Sequence, residues 1–372
     1  VKLNRIARLG AVAAVAALSL TACAANEPSG NGAGDPTEPG APVLTGTLNA
    51  TGASSQGAAQ QAWSAAFQNA HSGVTINYQP TGSGTGRENF LAGSSSFIGS
   101  DRAFNDGELA TGGFGACATD DIVEIPVYIS PVAVVFNLEG VDTLNLTPET
   151  VADIFNEQID KWNDPVIAAD NPDVELPDLA ITPVFRGDAS GTTGTFTAYL
   201  AAVAGDAWPH EDGDEWPVAV TRSESAQQTS GVEAAVTGGN GTIGYIDASR
   251  AGSLGSVAVK VGDEFVSFSA DAAAQLVGAS PLAEGRGAGD LVFEVDPAAA
   301  PAGAYPIALV SYLIGCEKYE DAATAEVVRE YFSYIASAEG QNAAADAAGS
   351  APISEDVRTK VNAAIALIGA AD

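Results

Sequence analysis

The sequence predicts an α/β fold in two lobes. Three observations predict it. Strand, glycine-rich turn and helix follow one another repeatedly, the pattern of a layered α/β protein. About 328 residues follow Thr45, more than one hydrophobic core usually serves. Two long β-rich runs, 122–137 and 306–314, stand where the chain would cross between lobes.

The elements follow in order. Residues 48–53 read as a strand entering a turn, and 56–68 as a helix with Ala58, Ala62, Ala65, Trp63 and Phe67 at helical spacing. Residues 74–78 alternate as a strand. Gly82-Ser83-Gly84-Thr85-Gly86 leads into a short helix over 87–91, and 96–99 is a strand ending at Ser100-Asp101. Pro126 and Pro131 place the 122–137 run at an edge or a bend. Thr147 caps a helix that opens on Pro148. Residues 181–186 form a strand, 187–194 a polar turn, 195–203 a helix and 241–246 a strand; 325–336 and 357–368 are amphipathic helices. The expected lobes are 45–128 with 300–372, and 129–299. No internal repeat is found.

The first residues read as a targeting segment. Lys2, Arg5 and Arg8 precede an uncharged apolar run over 9–20, which gives a signal peptide over 1–22. The run is short for a permanent span. It ends in Leu20-Thr21-Ala22-Cys23, which resembles the lipobox of bacterial lipoproteins, with Cys23 as the lipidated residue. Residues 23–44 carry four prolines and no aromatic residue, the composition of a flexible tether. No other stretch looks like a membrane span, so acyl chains would be the only anchor. The remaining cysteines, Cys117 and Cys316, are an even pair in an exported chain, which suggests one disulfide; two free thiols is the alternative.

Fifteen basic residues face 47 acidic ones, a net charge of −32. Such a surface disfavours nucleic acid. It also repels anions at long range, so any anion site must work through local, buried dipoles and hydrogen bonds. Enzyme chemistry finds little support. His71 and His210 lie away from the glycine-rich turns, and no serine elbow, phosphate-loop lysine or Cys/His metal spacing occurs. His210 sits in the acidic stretch 211–215, which reads as a solvated loop. The sequence therefore assigns no catalytic residue, cofactor or metal.

Three turns share one design: Gly52-Ala53-Ser54-Ser55, Gly82-Ser83-Gly84-Thr85-Gly86 and Gly187-Asp188-Ala189-Ser190-Gly191-Thr192. Each offers free N–H groups, hydroxyls and the positive end of a helix dipole. Singly, each is an ordinary turn and cap. Together, with an arginine nearby, they suggest convergence on one oxyanion.

These turns carry a resemblance. Residues 48–55 and 78–84, the segment Ile98-Gly99-Ser100-Asp101 and the motif Arg186-x-x-x-Ser190-Gly191-Thr192 are similar, in the same order, to the substrate-binding proteins of bacterial phosphate ABC transporters. Residues 150–164 and Gly244-Tyr245-Ile246 fit as well, and the resemblance runs from about 45 to 370. It implies a type II periplasmic-binding-protein-like fold and high-affinity, extracytoplasmic binding of inorganic phosphate for delivery to a transporter permease. The protein would be a lipid-anchored monomer at the outer face of the cytoplasmic membrane. The implied contacts are Ser54, Ser55, Ser83 and Asp101 from one lobe, and Arg186, Ser190, Gly191 and Thr192 from the other. Ser55 stands where some members carry an aromatic ring. Arg186 is expected to pair with Asp101 as well as the ligand, Arg87 and Arg102 to form salt bridges, and a Cys117–Cys316 bond to brace the hinge. Asp101 favours phosphate, which keeps a proton to donate near neutral pH, over sulfate, which does not. A different oxyanion, an enzyme, or a sensor without a transporter are the rival readings.

Overall fold

A computed structural model describes residues 44–372. The signal-peptide, lipidation and linker expectations fall on residues outside this range, save Leu44. The chain begins with β1 (Thr45–Gly52), α1 (Gly57–Ala70), β2 (Gly73–Gln79), α2 (Ser83–Leu91), β3 (Phe97–Ser100) and α3 (Asp106–Thr111). Then come β4 (Ile122–Asn137), β5 (Thr143–Leu146), α4 (Pro148–Phe155), α5 (Pro165–Asp170), β6 (Thr182–Arg186) and α6 (Gly191–Val203). β7 (Glu224–Ala226), α7 (Gln228–Gly238), β8 (Thr242–Asp247), β9 (Gly255–Val261), β10 (Glu264–Val266) and α8 (Ala270–Ala279) follow. The chain closes with β11 (Ala308–Cys316), β12 (Lys318–Tyr319), α9 (Ala322–Ala336), α10 (Ala338–Ala348), α11 (Glu355–Ile365) and β13 (Gly369–Ala370).

The fold is α/β and two-lobed, and one strand belongs to both lobes. The main sheet runs β2-β1-β3-β11-β4-β8-β6-β7, with β9 against β4 and β5, and β10 against β9. Residues 122–131 of β4 pair antiparallel with β11, and residues 132–137 pair antiparallel with β8. The first lobe's sheet is thus β2, β1, β3, β11 and the first part of β4; the second lobe's holds the rest.

The prolines of β4 do not put it at an edge. It lies between β11 and β8, and all but its last residue are buried. Pro126 faces Tyr312 where the register slips between Ser311 and Tyr312, so the missing N–H falls at a bulge. Pro131 faces Ala308, the last β11 partner, where the strand passes from one ladder to the other. Proline survives in this interior strand because each sits where the ladder is already interrupted.

Each sheet carries helices on its faces. α1 packs on β2 and α10, α2 on β1 and β3, and α9 on β1. Their aromatic core joins Phe67, Phe97, Tyr331 and Phe332 at centroid distances of 5.1–5.7 Å. In the second lobe α4 and α6 enclose Phe155, Phe196 and Tyr245; Phe196 stacks on Tyr245 at 4.4 Å. Buried aromatic area of this kind is the main favourable term holding each lobe. Among the described residues no helix is long and apolar enough to cross a membrane.

Cys117 and Cys316 are bonded, with Cα atoms 5.3 Å apart. Cys316 pairs with Ile122 at one end of the β4–β11 ladder, and Ala308 with Pro131 at the other. At about 3.4 Å per residue the bond lies roughly 27 Å from the strand's passage between lobes. It ties the loop before β4 to the end of β11 and does not brace the hinge.

Candidate functional site

The three glycine-rich turns all open helices. Ser83 and Gly191 are the first residues of α2 and α6, and Ser54–Ser55 precede α1. In α6 the first intrahelical bond is Gly194 N–H to the Ser190 carbonyl at 3.0 Å. The N–H groups of Gly191 and Thr192 precede it, at the positive end of the helix dipole. Ser190 caps this helix: its Oγ accepts from Thr193 N–H at 3.3 Å, which leaves its hydroxyl proton to donate. Ser83 Oγ likewise accepts from Asp101 N–H at 3.1 Å.

Asp101 is the meeting point. Ser55 and Ser311 each donate a hydroxyl to its Oδ1 at 2.6 Å, and Thr192, from the other lobe, donates to Oδ2 at 3.1 Å. Burial pushes the carboxyl above its usual range; the three hydroxyls and the charge of Arg186 draw it back. A carboxylate offers about four acceptor positions, so Oδ2 keeps one for a further donor.

Two glycines permit the lobes to meet here. A Cβ on Gly191 would lie 2.5 Å from Asp101 Cβ, and one on Gly84 would lie 2.4 Å from Ala189 Cβ. Any side chain at either position would hold the cleft apart. Gly84 N–H donates to the Ala189 carbonyl across the same line at 3.1 Å.

Arg186 ends β6 and is 3% exposed. It does not pair with Asp101. Its Nε donates to Asp188 Oδ1 at 2.7 Å and its Nη2 to Asp188 Oδ2. Although burial raises the Asp188 carboxyl, the hydrogen bonds and charge of Arg186 bring it below the usual range. The fork is thus fixed in place by its i+2 neighbour. Tyr245 supports the same corner: its hydroxyl accepts from Arg186 N–H at 3.1 Å and lies 2.8 Å from Thr193 Oγ1.

Ser54 departs from the expected role. Its Oγ lies 3.0 Å from Thr229 Oγ1 and accepts Thr229 N–H at 3.1 Å. Its hydroxyl therefore joins the first turn to α7 across the cleft. Ser55, Ser83, Asp101, Arg186, Ser190, Gly191 and Thr192 are all buried.

Sequence reading missed Ser311 and Gln56. Ser311 is a fully buried serine in the apolar run of β11, at the bulge that turns its side chain toward Asp101. Gln56 donates to Ser311 Oγ at 2.6 Å, Gln60 to Gln56 Oε1 at 2.8 Å, and Tyr331 to Gln60 Oε1 at 3.2 Å. That chain fixes the direction of the Ser311 proton toward Asp101. A lone polar residue in an apolar strand was the available signal.

The acidic stretch 211–215 is not wholly a solvated loop. Asp214 is partly buried, its side chain 10% exposed, and accepts from Arg87 and from Arg102, the latter at 3.1 Å. Both arginines form the expected salt bridges. His210 lies 2.9 Å from Asn156 Oδ1, and His71 packs on Phe67.

Comparison with known proteins agrees with this architecture. Residues 36–339 match the family model of the PBP superfamily domain. The phosphate-binding protein PstS 3 of Mycobacterium tuberculosis is 33% identical over 374 residues, spanning 98% of this chain and 99% of that protein. The phosphate-binding protein PstS2 of Mycobacterium bovis is 32% identical over 97% of this chain and 99% of its own. A high-affinity periplasmic phosphate-binding protein (PfluDING), solved with phosphate bound, shares the fold at a TM-score of 0.67 and 22% identity, covering 85% of this chain and 93% of its own. The phosphate-binding protein of Stenotrophomonas maltophilia superposes at 0.63 with 20% identity, over 86% and 94%. With helix N-termini, a buried acid and a fixed arginine converging in the cleft of such a fold, the chain belongs to the PstS family of phosphate-binding proteins.

Proposed function

We propose that this protein binds inorganic phosphate in the cleft between its lobes and delivers it to the permease of a phosphate ABC transporter. The observation that carries the reading is Asp101: a buried acceptor with one position unfilled, ringed by the N-termini of α2 and α6 and by Arg186. Phosphate near neutral pH brings both the negative oxygens for the N–H and hydroxyl donors and a proton for the carboxylate. Sulfate brings no proton and would set a lone pair against Asp101 in a dry site. The names of the relatives support the same ligand.

Ser55, Ser83, Arg186, Ser190, Gly191 and Thr192 are the proposed ligand donors, and Ser54 contributes its backbone while its hydroxyl holds α7. We place the first change of lobe near residue 131, where β4 leaves β11 for β8. Phosphate bridges the lobes and favours the closed form by its differential affinity for it. The protein acts as a monomer outside the cell, held to the membrane by lipid on Cys23, with no cofactor or metal and no reaction of its own. Both histidines are engaged away from Ser83 and Ser190, so neither is the adjacent base that would activate those serines.

Calorimetric titration of the stripped, full-length chain tests the reading. Phosphate should bind one to one and sulfate should give no heat. Asp101→Asn should weaken phosphate by about 10- to 150-fold, the value of a hydrogen bond to a charged group, and narrow the gap to sulfate. Equal binding of both anions, or of neither, would overturn it.

A further inference from the structure

Two arginines of the first lobe converge on one acid of the second. Arg87 lies on α2 and Arg102 just beyond β3; Asp214 lies in the loop between α6 and β7. Arg87 Nη2 and Arg102 Nε both reach Asp214 Oδ2, the second at 3.1 Å. The Arg87 and Asp214 side chains are 7% and 10% exposed. Asp214 Oδ1 is buried and has no hydrogen-bond partner among the described residues. It lies against Gly194, where a Cβ would come within 2.9 Å. A carboxylate so desolvated is tolerable only while both guanidinium groups face it.

This cluster is wired to the ligand turns from both sides. Arg87 Nη1 donates to Ser100 Oγ at 3.0 Å, next to Asp101 in the chain. The Asp214 carbonyl accepts from Ser190 N–H at 2.8 Å, at the cap of α6. Outside it opens a depression of about 960 Å³ at the cleft mouth, where Arg87 and Arg102 stand among the acids Glu88, Glu108, Glu211, Asp212, Asp214 and Glu215.

We propose that Asp214 is the latch of the cleft, a positioning residue that sets how slowly phosphate leaves; this rests on the phosphate reading. When the lobes part, Asp214 moves away with the second lobe. The nearest acid left to the arginines is Glu108, 2.8 Å from Arg102 Nη1 and 3.9 Å from Arg87 Nε. Two guanidinium groups then face the mouth, with Glu108 against them and Glu88 beside Arg87 on α2. Closure adds Asp214 to both arginines while Arg102 keeps Glu108, so the two acids together balance the two guanidinium charges and the mouth shuts behind the ligand. Arrival is governed by the free arginines, release by breaking the buried cluster.

The sign of one substitution separates this from a simple field effect. If Asp214 acted only through its negative charge near the site, Asp214→Asn would tighten phosphate. A latch requires the opposite. Stopped-flow association and release of phosphate on the full chain should show release at least about tenfold faster in Asp214→Asn, with association unchanged or faster. Asp214→Glu should recover part of the loss. Wild-type release should quicken with salt more steeply than release from Asp214→Asn. Arg102→Gln, at the half-exposed partner, gives a second reading should Asp214→Asn unfold: faster release and slower association. Release within twofold of wild type in the variant that folds, or slower release, overturns the latch. No phosphate binding by the wild-type chain overturns the reading beneath it.

Discussion

Ser311 brings a hydroxyl to Asp101 from a strand more than 200 residues further along the chain, and it directs that proton because Gln56 already occupies its acceptor side. Burial holds the Asp101 carboxyl up, and Ser311 is first among the groups that oppose it. Ser311→Ala removes that opposition, so the carboxyl protonates at a higher pH. Phosphate binding, which needs the ionised acceptor, should weaken about tenfold at neutral pH. On acidification it should be lost at a higher pH than in wild type. Calorimetric titration across a pH series measures both. Asp101, Arg186 and Ser190-Gly191-Thr192 were legible because each lies in a local motif whose chemistry is visible over a few residues. Ser311, Gln56 and Asp214 were not, because their roles exist only where distant segments meet. Arg186 was misassigned to Asp101 for a related reason. Its fork closes on Asp188, two residues away, and only the side-chain geometry shows it.

β4 shows how an element can carry a cost placed by topology. Where it passes to the second lobe, Val132 pairs with Asp247, a fully buried acid whose Oδ1 accepts from Tyr128 at 2.9 Å and from Ser249 N–H at 3.0 Å. Burial pushes the Asp247 carboxyl up to about 6 against those hydrogen bonds. The unfolded carboxyl ionises near 4, so the folded state holds the proton longer. The stabilising contribution is full below pH ~4 and lost as pH rises to ~6, a swing of about 3 kcal/mol. Asp247→Asn should therefore be more stable than wild type at pH 7 and match it at pH 4, as read by urea unfolding at each pH. The strand itself was readable from its β-branched run, but its place was not. Prolines are edge signals only when the ladder is unbroken, and here a bulge and a change of partner accommodate them. Short elements such as β5, β7 and α5 escaped notice because three to six residues give no period to detect. α7 and α10 escaped because Gly, Thr and Ala blur their faces.

At the scale of the molecule, binding and stability are held in different places. The Cys117–Cys316 bond closes 199 residues of sequence yet joins the first lobe to itself, far from the passage between lobes. Replacing both cysteines by serine should lower the unfolding free energy by about 2–5 kcal/mol. The phosphate dissociation constant should stay within about twofold. Urea unfolding and calorimetric titration of one preparation would show both; a large loss of affinity would mean the bond does reach the hinge. The two-lobed architecture was legible from length and alternation alone. The contact between lobes was not, since composition reports net charge and says nothing of where two arginines and two acids meet.

β11 is an interior strand of the first lobe, between β3 and β4, and it is supplied from the last quarter of the chain. Every strand of the second lobe lies in the continuous stretch from β4 to β10. A ribosome that has delivered residue 300 has therefore delivered one lobe whole. The other still has an open slot between β3 and β4, where β11 belongs. The parts of the chain made first are the last to be completed.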